Sequence, residues 1–192
     1  RLVSMALHGV EEMPFPQECN AEKLQEIIYK QQLSSMVWPV ISRQKDDRWK
    51  QLAQRMDKGY QQLVLKSLTQ KFEIDALKEA MEQEGMDCLP LKGPIMQNYY
   101  PDPTYRSMGD FDVLLKDFDR DRVKAFMLAQ GYDFGDANED YHDSYFKKPR
   151  MCVEVHSALK GKSLVEKVPA AENWMAGLWE RCKPINNKKH IY

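Results

Sequence analysis

No apolar stretch in the sequence approaches the roughly 20 residues that a membrane-crossing helix requires, so a membrane-spanning role is not expected. The opening residues, RLVSMALHGVEEM, become charged early, and their apolar part is too short for a secretory signal. Cysteine is sparse. Cys19, Cys88, Cys152 and Cys182 lie far apart and form no CxxC pair, which supports neither a zinc site nor thioredoxin-like chemistry. They read as reduced thiols of a cytoplasmic protein. An excess of either charge is also missing: 28 Lys and Arg against 29 Asp and Glu leave a formal net charge of −1. That balance argues against broad electrostatic capture of nucleic acid or of an anionic membrane. Internal repeats and low-complexity segments are absent. What is present, 43% hydrophobic and 30% charged residues in a chain of 192, suits a soluble globular protein with one medium α/β domain, or a small α/β core carrying a helical extension. The sequence opens without methionine and stops at NNKKHIY, within what reads as an element, so a piece of a longer protein is expected.

Composition changes along the chain. Residues 20–84 are rich in Gln, Lys, Glu, Leu and Met, with Pro39 and Gly59 their only proline and glycine. Asn20 is placed to cap a helix carrying Leu24, Ile27 and Ile28 at helical spacing. A second helix is predicted from Asp46 or Asp47 to Met56, and a third through Leu63, Leu65, Leu68, Phe72, Leu77 and Met81, its apolar stripe packed in the core. At Met86 the character switches. CLPLK (88–92) reads as a buried strand feeding a helix over 93–100, since proline is tolerated in a first helical turn. PDPTYRSMG (101–109) is a loop. DFDVLLK (110–116) alternates as a strand does, and Asp117 or Asp119 can cap a helix that stops at Gly131. YHDSYFKK and MCVEVHSAL read as two more strands joined by a turn at Pro149-Arg150, followed by a polar linker and a helix near 174–181. The predicted organisation is a helical region over 1–84, an α/β (α+β) core with a mixed sheet over 85–160, and a C-terminal linker and helix over 161–192.

Strand alternation turns Asp110 and Asp112 to one side while Phe111 and Val113 face the core, which leaves two carboxylates about two steps of ~3.3 Å apart. Like charges that close are unfavourable unless a cation lies between them. Mg²⁺, or Mn²⁺ in its place, suits such oxygen donors and keeps positions open for phosphate and water. In Val153-Glu154-Val155-His156 the same alternation presents Glu154 as a third carboxylate, provided the two strands are neighbours. Three acids could cradle two ions, one acting on an attacking hydroxyl and one on a leaving pyrophosphate. At Lys92-Gly93 a strand runs into a helix start, where free N–H groups favour an anion, Gly93 permits close approach and Lys92 adds charge. Arg106 is a second phosphate candidate because its fork binds oxygens bidentately. His156 is read as a neighbour of the acids at best, and Lys188-Lys189 as solvated surface.

Taken in order, LKG, a Tyr-Tyr stretch, RSMGDFDVLL, a helix ending in GY, and VEVH resemble the uncharacterised nucleotidyltransferase family of the polymerase-β-like superfamily, over about residues 63–160. The resemblance implies a minimal nucleotidyltransferase fold, with Asp110 and Asp112 as paired metal ligands and Glu154 as the third acid. It also implies transfer of a nucleotidyl group from a nucleoside triphosphate (NTP) to an acceptor, a small molecule or a protein side chain. Better-characterised members carry glycine followed by glycine or serine at the turn before the aspartates, where this chain has Lys92-Gly93-Pro94. A degenerate nucleotide-binding module that senses NTP or assists a partner is the alternative. A metal-dependent nuclease is a third reading, disfavoured by the charge balance and by His156 standing where a lysine would be needed.

Overall fold

In a computed structural model, residues 1–138, 141–149, 151–159, 177–185 and 188–192 are described. The described helices are α1 (Leu2–His8), α2 (Ala21–Lys30), α3 (Ser34–Ile41), α4 (Asp47–Gln83), α5 (Gly93–Gln97), α6 (Arg120–Ala129) and α7 (Leu178–Arg181), with a 3₁₀ turn at Pro103–Tyr105. The strands are β1 (Cys88–Pro90), β2 (Phe111–Leu115), β3 (Asp133–Asn138), β4 (His142–Lys147) and β5 (Met151–His156). The fold is α+β, with a mixed sheet and a helical N-terminal region. By its internal contacts the chain divides into two units, Arg1–Thr69 with Met96–Met108, and Gln70–Ile95 with Gly109–Tyr192.

The first unit is built on helix caps and an apolar centre. Asn20 accepts the amide of Lys23 at 2.8 Å, which satisfies a donor that the helix itself leaves unpaired. The carboxylate of Asp46 accepts the amides of Phe15 and Arg48, starting α4 and tying down the segment between α1 and α2. Trp49, Leu52, Met56, Val40 and Ile41 are fully or almost fully buried in one cluster, in which Phe15 packs tilted against Trp49, their ring centroids 4.4 Å apart. The Trp49 indole N–H does not go unsatisfied there: it donates to the Met13 carbonyl at 2.9 Å.

Two expectations about helices need correction. The segments predicted as separate helices around Met56 and Leu63 are one helix of 37 residues, because nothing between them breaks it and Gly59 alone is only mildly unfavourable within a helix. The stripe expected in the core is only partly there. Ile74, Leu77 and Met81 are buried, whereas Leu65, Leu68 and Phe72 are more than half exposed. Helix α3 went unpredicted because it is apolar on nearly every side, so it has no periodic stripe, and it contains Pro39.

The second unit holds the sheet, in the order β1-β2-β5-β4-β3. Strands β2 and β5 are parallel and the other neighbours antiparallel. Gly85 and Gly131 take left-handed backbone (φ 64° and 79°) at the ends of α4 and α6, where the amides of Met86 and Tyr132 close back on the helices. One face of the sheet carries Phe111, Val113, Tyr145, Val153 and Val155, all fully buried. At the chain's end Ile191 is buried and bridges Cys88 in parallel, so this segment lies along the outer edge of β1. The helix expected over 93–100 is shorter, Gly93–Gln97, and the strand β3 was not foreseen, since DFGDAN is polar and contains a glycine. The Pro149-Arg150 turn falls partly, and residues 160–176 wholly, outside the described residues.

Candidate active site

The face of the sheet opposite the buried one carries the polar groups. Parallel pairing sets Asp112 beside Glu154 and Leu114 beside His156. Cross-strand partners point the same way, so the two acids are immediate neighbours and the imidazole lies one step further along. The His156 ring reaches back diagonally: its Nε2 is 3.0 Å from Asp112 Oδ1 and 3.6 Å from Glu154 Oε2. Asp112 and His156 are both buried, 3% and 5% exposed, while Glu154 is half-buried. Asp110 precedes β2 and is exposed.

Lys92 completes the cluster. Its Nζ donates to the same Asp112 Oδ1 at 3.1 Å, and the Leu91 amide donates to the Asp112 carbonyl, which fixes the end of β1 beside β2. Lys92 has left-handed backbone (φ 47°), uncommon for a residue with a side chain, in the two-residue step between β1 and α5. Its hydrogen bond to Asp112 holds the ammonium pKa above the ordinary lysine value; slight burial opposes this, and the charges of Asp112, Asp110 and Glu154 reinforce it. Cys152, on the same face of β5, senses the same field. Burial pushes its thiol up to about 11, and Asp110, Glu154 and Asp112 push in the same direction.

Asp112, Glu154 and His156 each offer one ligand atom, and these atoms lie within 4.8 Å of one another. Two carboxylate oxygens and an imidazole nitrogen are a donor set that divalent cations accept. The Nδ1 of His156 is buried without a hydrogen-bond partner, and among the described residues the ring's polar contacts lie on the side of the acids. Gly93 begins α5, which at five residues is a single turn and offers far less dipole than the longer helix expected. Arg106 groups with the first unit; its Nε is buried without a partner, and its carbonyl accepts from Gln97 at 2.8 Å. Sequence reasoning under-weighted His156 and passed over Cys152. Alternation along MCVEVH already placed both on the face of Glu154, but the register that brings His156 to Asp112 is a property of the sheet.

These features define an α+β protein with an acid-and-imidazole cluster suited to a divalent cation at the centre of a mixed sheet. The chain belongs to the uncharacterised nucleotidyltransferase family, whose model matches residues 17–192. Nucleotidyl transfer, with an NTP as donor, is the reaction class that membership assigns. No curated protein and no solved structure matches the chain. No helix among the described residues is long and apolar enough to cross a membrane.

Proposed function

We propose that this chain is a cytoplasmic, metal-dependent nucleotidyltransferase of the polymerase-β-like kind, moving a nucleotidyl group from an NTP to a small-molecule or protein acceptor. The observation that carries the reading is the register of β2 on β5, which sets Asp112 beside Glu154 with Lys92 on the same carboxylate. Asp110, Asp112 and Glu154 are the carboxylates assigned to Mg²⁺ or Mn²⁺, which when bound supplies Lewis-acid polarisation of phosphate oxygens. Lys92 and Gly93 are assigned to the triphosphate, and Arg106 to a phosphate oxygen. In the reaction, an acceptor oxygen forms a bond to the α-phosphorus while the α–β bridging bond breaks. Pyrophosphate leaves, and the acceptor proton passes to a carboxylate or to water.

Burial of Asp112 gives this chemistry a rigid base. A carboxylate held by the Lys92 ammonium and packed against the His156 ring loses little freedom on meeting a ligand, which supports a site positioned in advance. Replacing Asp112 by Asn keeps the shape and removes the charge. Mg²⁺-dependent pyrophosphate release, screened over several NTPs and acceptors, should fall by about 10² or more, with the melting temperature little changed. The degenerate-module reading draws on one observation, the ammonium of Lys92 already resting on Asp112 Oδ1. Wild-type protein that NTP stabilises in a thermal-shift assay, yet that releases no pyrophosphate with any acceptor, would favour that module over an enzyme.

A further inference from the structure

The family reading rests on carboxylates, but the three mutually close donor atoms include a nitrogen and leave Asp110 out. Six-coordinate ligands on a cation at about 2.1 Å lie about 3.0 Å apart when adjacent, and tetrahedral ones about 3.4 Å. His156 Nε2 stands 3.0 Å from Asp112 Oδ1 and 3.6 Å from Glu154 Oε2, and one ligand atom from each of the three residues lies within 4.8 Å of the others, close enough for one ion to draw them together. Among the described residues, the ring nitrogen that meets the two acids is Nε2, which can bind an ion when the proton sits on Nδ1.

We infer that His156 is a direct nitrogen ligand to the cation held by Asp112 and Glu154, and that it tilts this site toward Mn²⁺ over Mg²⁺. This deepens the proposed function and rests on it for the presence of a cation. The chemical reason is ligand softness. Mg²⁺ prefers oxygen and gives up its water shell reluctantly, whereas imidazole nitrogen is a favourable ligand for first-row transition ions. With His156 in the set, one of the three protein donors discriminates between the two ions. Asp110, exposed at the mouth of β2, remains available on the solvent side for an ion that arrives with the triphosphate.

The test is titration of the intact chain with Mn²⁺ alone, followed by electron paramagnetic resonance, with pulsed measurement of nitrogen coupling to the bound ion. Mg²⁺ affinity comes from competition against Mn²⁺. The proteins are wild type, His156→Gln, and His142→Gln as a control, because the His142 ring lies 5.2 Å from that of His156. The expected result is nitrogen coupling in wild type and in His142→Gln, its loss in His156→Gln, and a fall of about tenfold or more in the preference for Mn²⁺. Wild-type protein that binds Mn²⁺ without nitrogen coupling overturns the inference and leaves the carboxylate reading intact; this measurement needs no variant to fold. Coupling that survives in His156→Gln but vanishes in His142→Gln overturns it too. Wild-type protein that binds neither ion, with or without NTP, overturns both this inference and the metal-dependent reading beneath it.

Discussion

At Lys92 an unfavourable and a favourable feature meet: a left-handed backbone (φ 47°) on a residue that carries a side chain, and a mostly exposed ammonium that neutralises a buried carboxylate. Left-handed backbone costs an ordinary residue about 1 kcal/mol relative to its usual conformations, a cost glycine escapes. Lys92→Gly relieves the backbone but leaves the buried Asp112 carboxylate without its ammonium partner. Its melting temperature should fall, because the unpaired buried charge costs more than the backbone relief returns. NTP affinity should fall and the affinity for a divalent cation rise, because Asp112 loses its resident counter-charge. Isothermal titration with each ligand checks both directions, and unchanged NTP binding would remove Lys92 from the phosphate site. Burial, reinforced by the acids, holds the Cys152 thiol up at about 11. Alkylation of Cys152, followed by mass spectrometry, should rise toward that pH instead of near the ordinary value of about 8.5.

Elements differ in how openly the sequence declares them. Helices α2 and α6 announce themselves through a cap and an apolar period, and β2 and β5 through alternation. Helix α3 hides because it is buried on nearly all sides, and β3 because it is an edge strand of acids around Gly135. Gly135 has its own reason: a Cβ there would stand 2.2 Å from the Phe146 ring, so the ring covers the backbone where a side chain would go. Of the site, alternation gave the faces of Asp112, Glu154 and His156 within their own strands. It could not give the neighbour relation of β2 and β5, which comes from pairing across a long stretch of chain. Within α4, Gly59 tests the continuity of the helix. A Cβ there would meet only the Tyr29 hydroxyl, at an ordinary 3.6 Å. Gly59→Ala should then stabilise by about 0.5–1 kcal/mol, raising the melting temperature by a few degrees. A lower melting temperature would show that α4 bends or breaks at this point.

For the whole molecule, the buried thiols set an alkaline limit. Burial pushes Cys88 up to about 12, and Cys152 stands at about 11. Both folded values lie above that of the unfolded chain, so the stabilisation they confer is full below about pH 8.5 and is lost as pH rises toward the folded values. At pH 10 the loss amounts to about 2 kcal/mol for Cys88 and less for the half-buried Cys152. Urea denaturation under reducing conditions should show stability falling between pH 8.5 and 11, with a shallower fall in Cys88→Ala once its lower starting stability is subtracted. An identical slope in that variant would assign the alkaline loss to other groups.

Asp112 and His156 are separated by 44 positions, and the strands β3 and β4 that intervene in sequence lie on the far side of β5. Contacts of such long range close late, because the loop entropy of joining them must be met before they repay it. The donors therefore cannot assemble in a chain that has formed only its local helices and the β3–β4 hairpin. On the proposed metal-dependent function, newly made or refolding protein should acquire cation affinity only as the central parallel pair zips together. Uptake of Mn²⁺ becomes a clock for completion of the sheet, and a cation supplied during refolding should slow the escape from the finished state without hastening the first steps toward it.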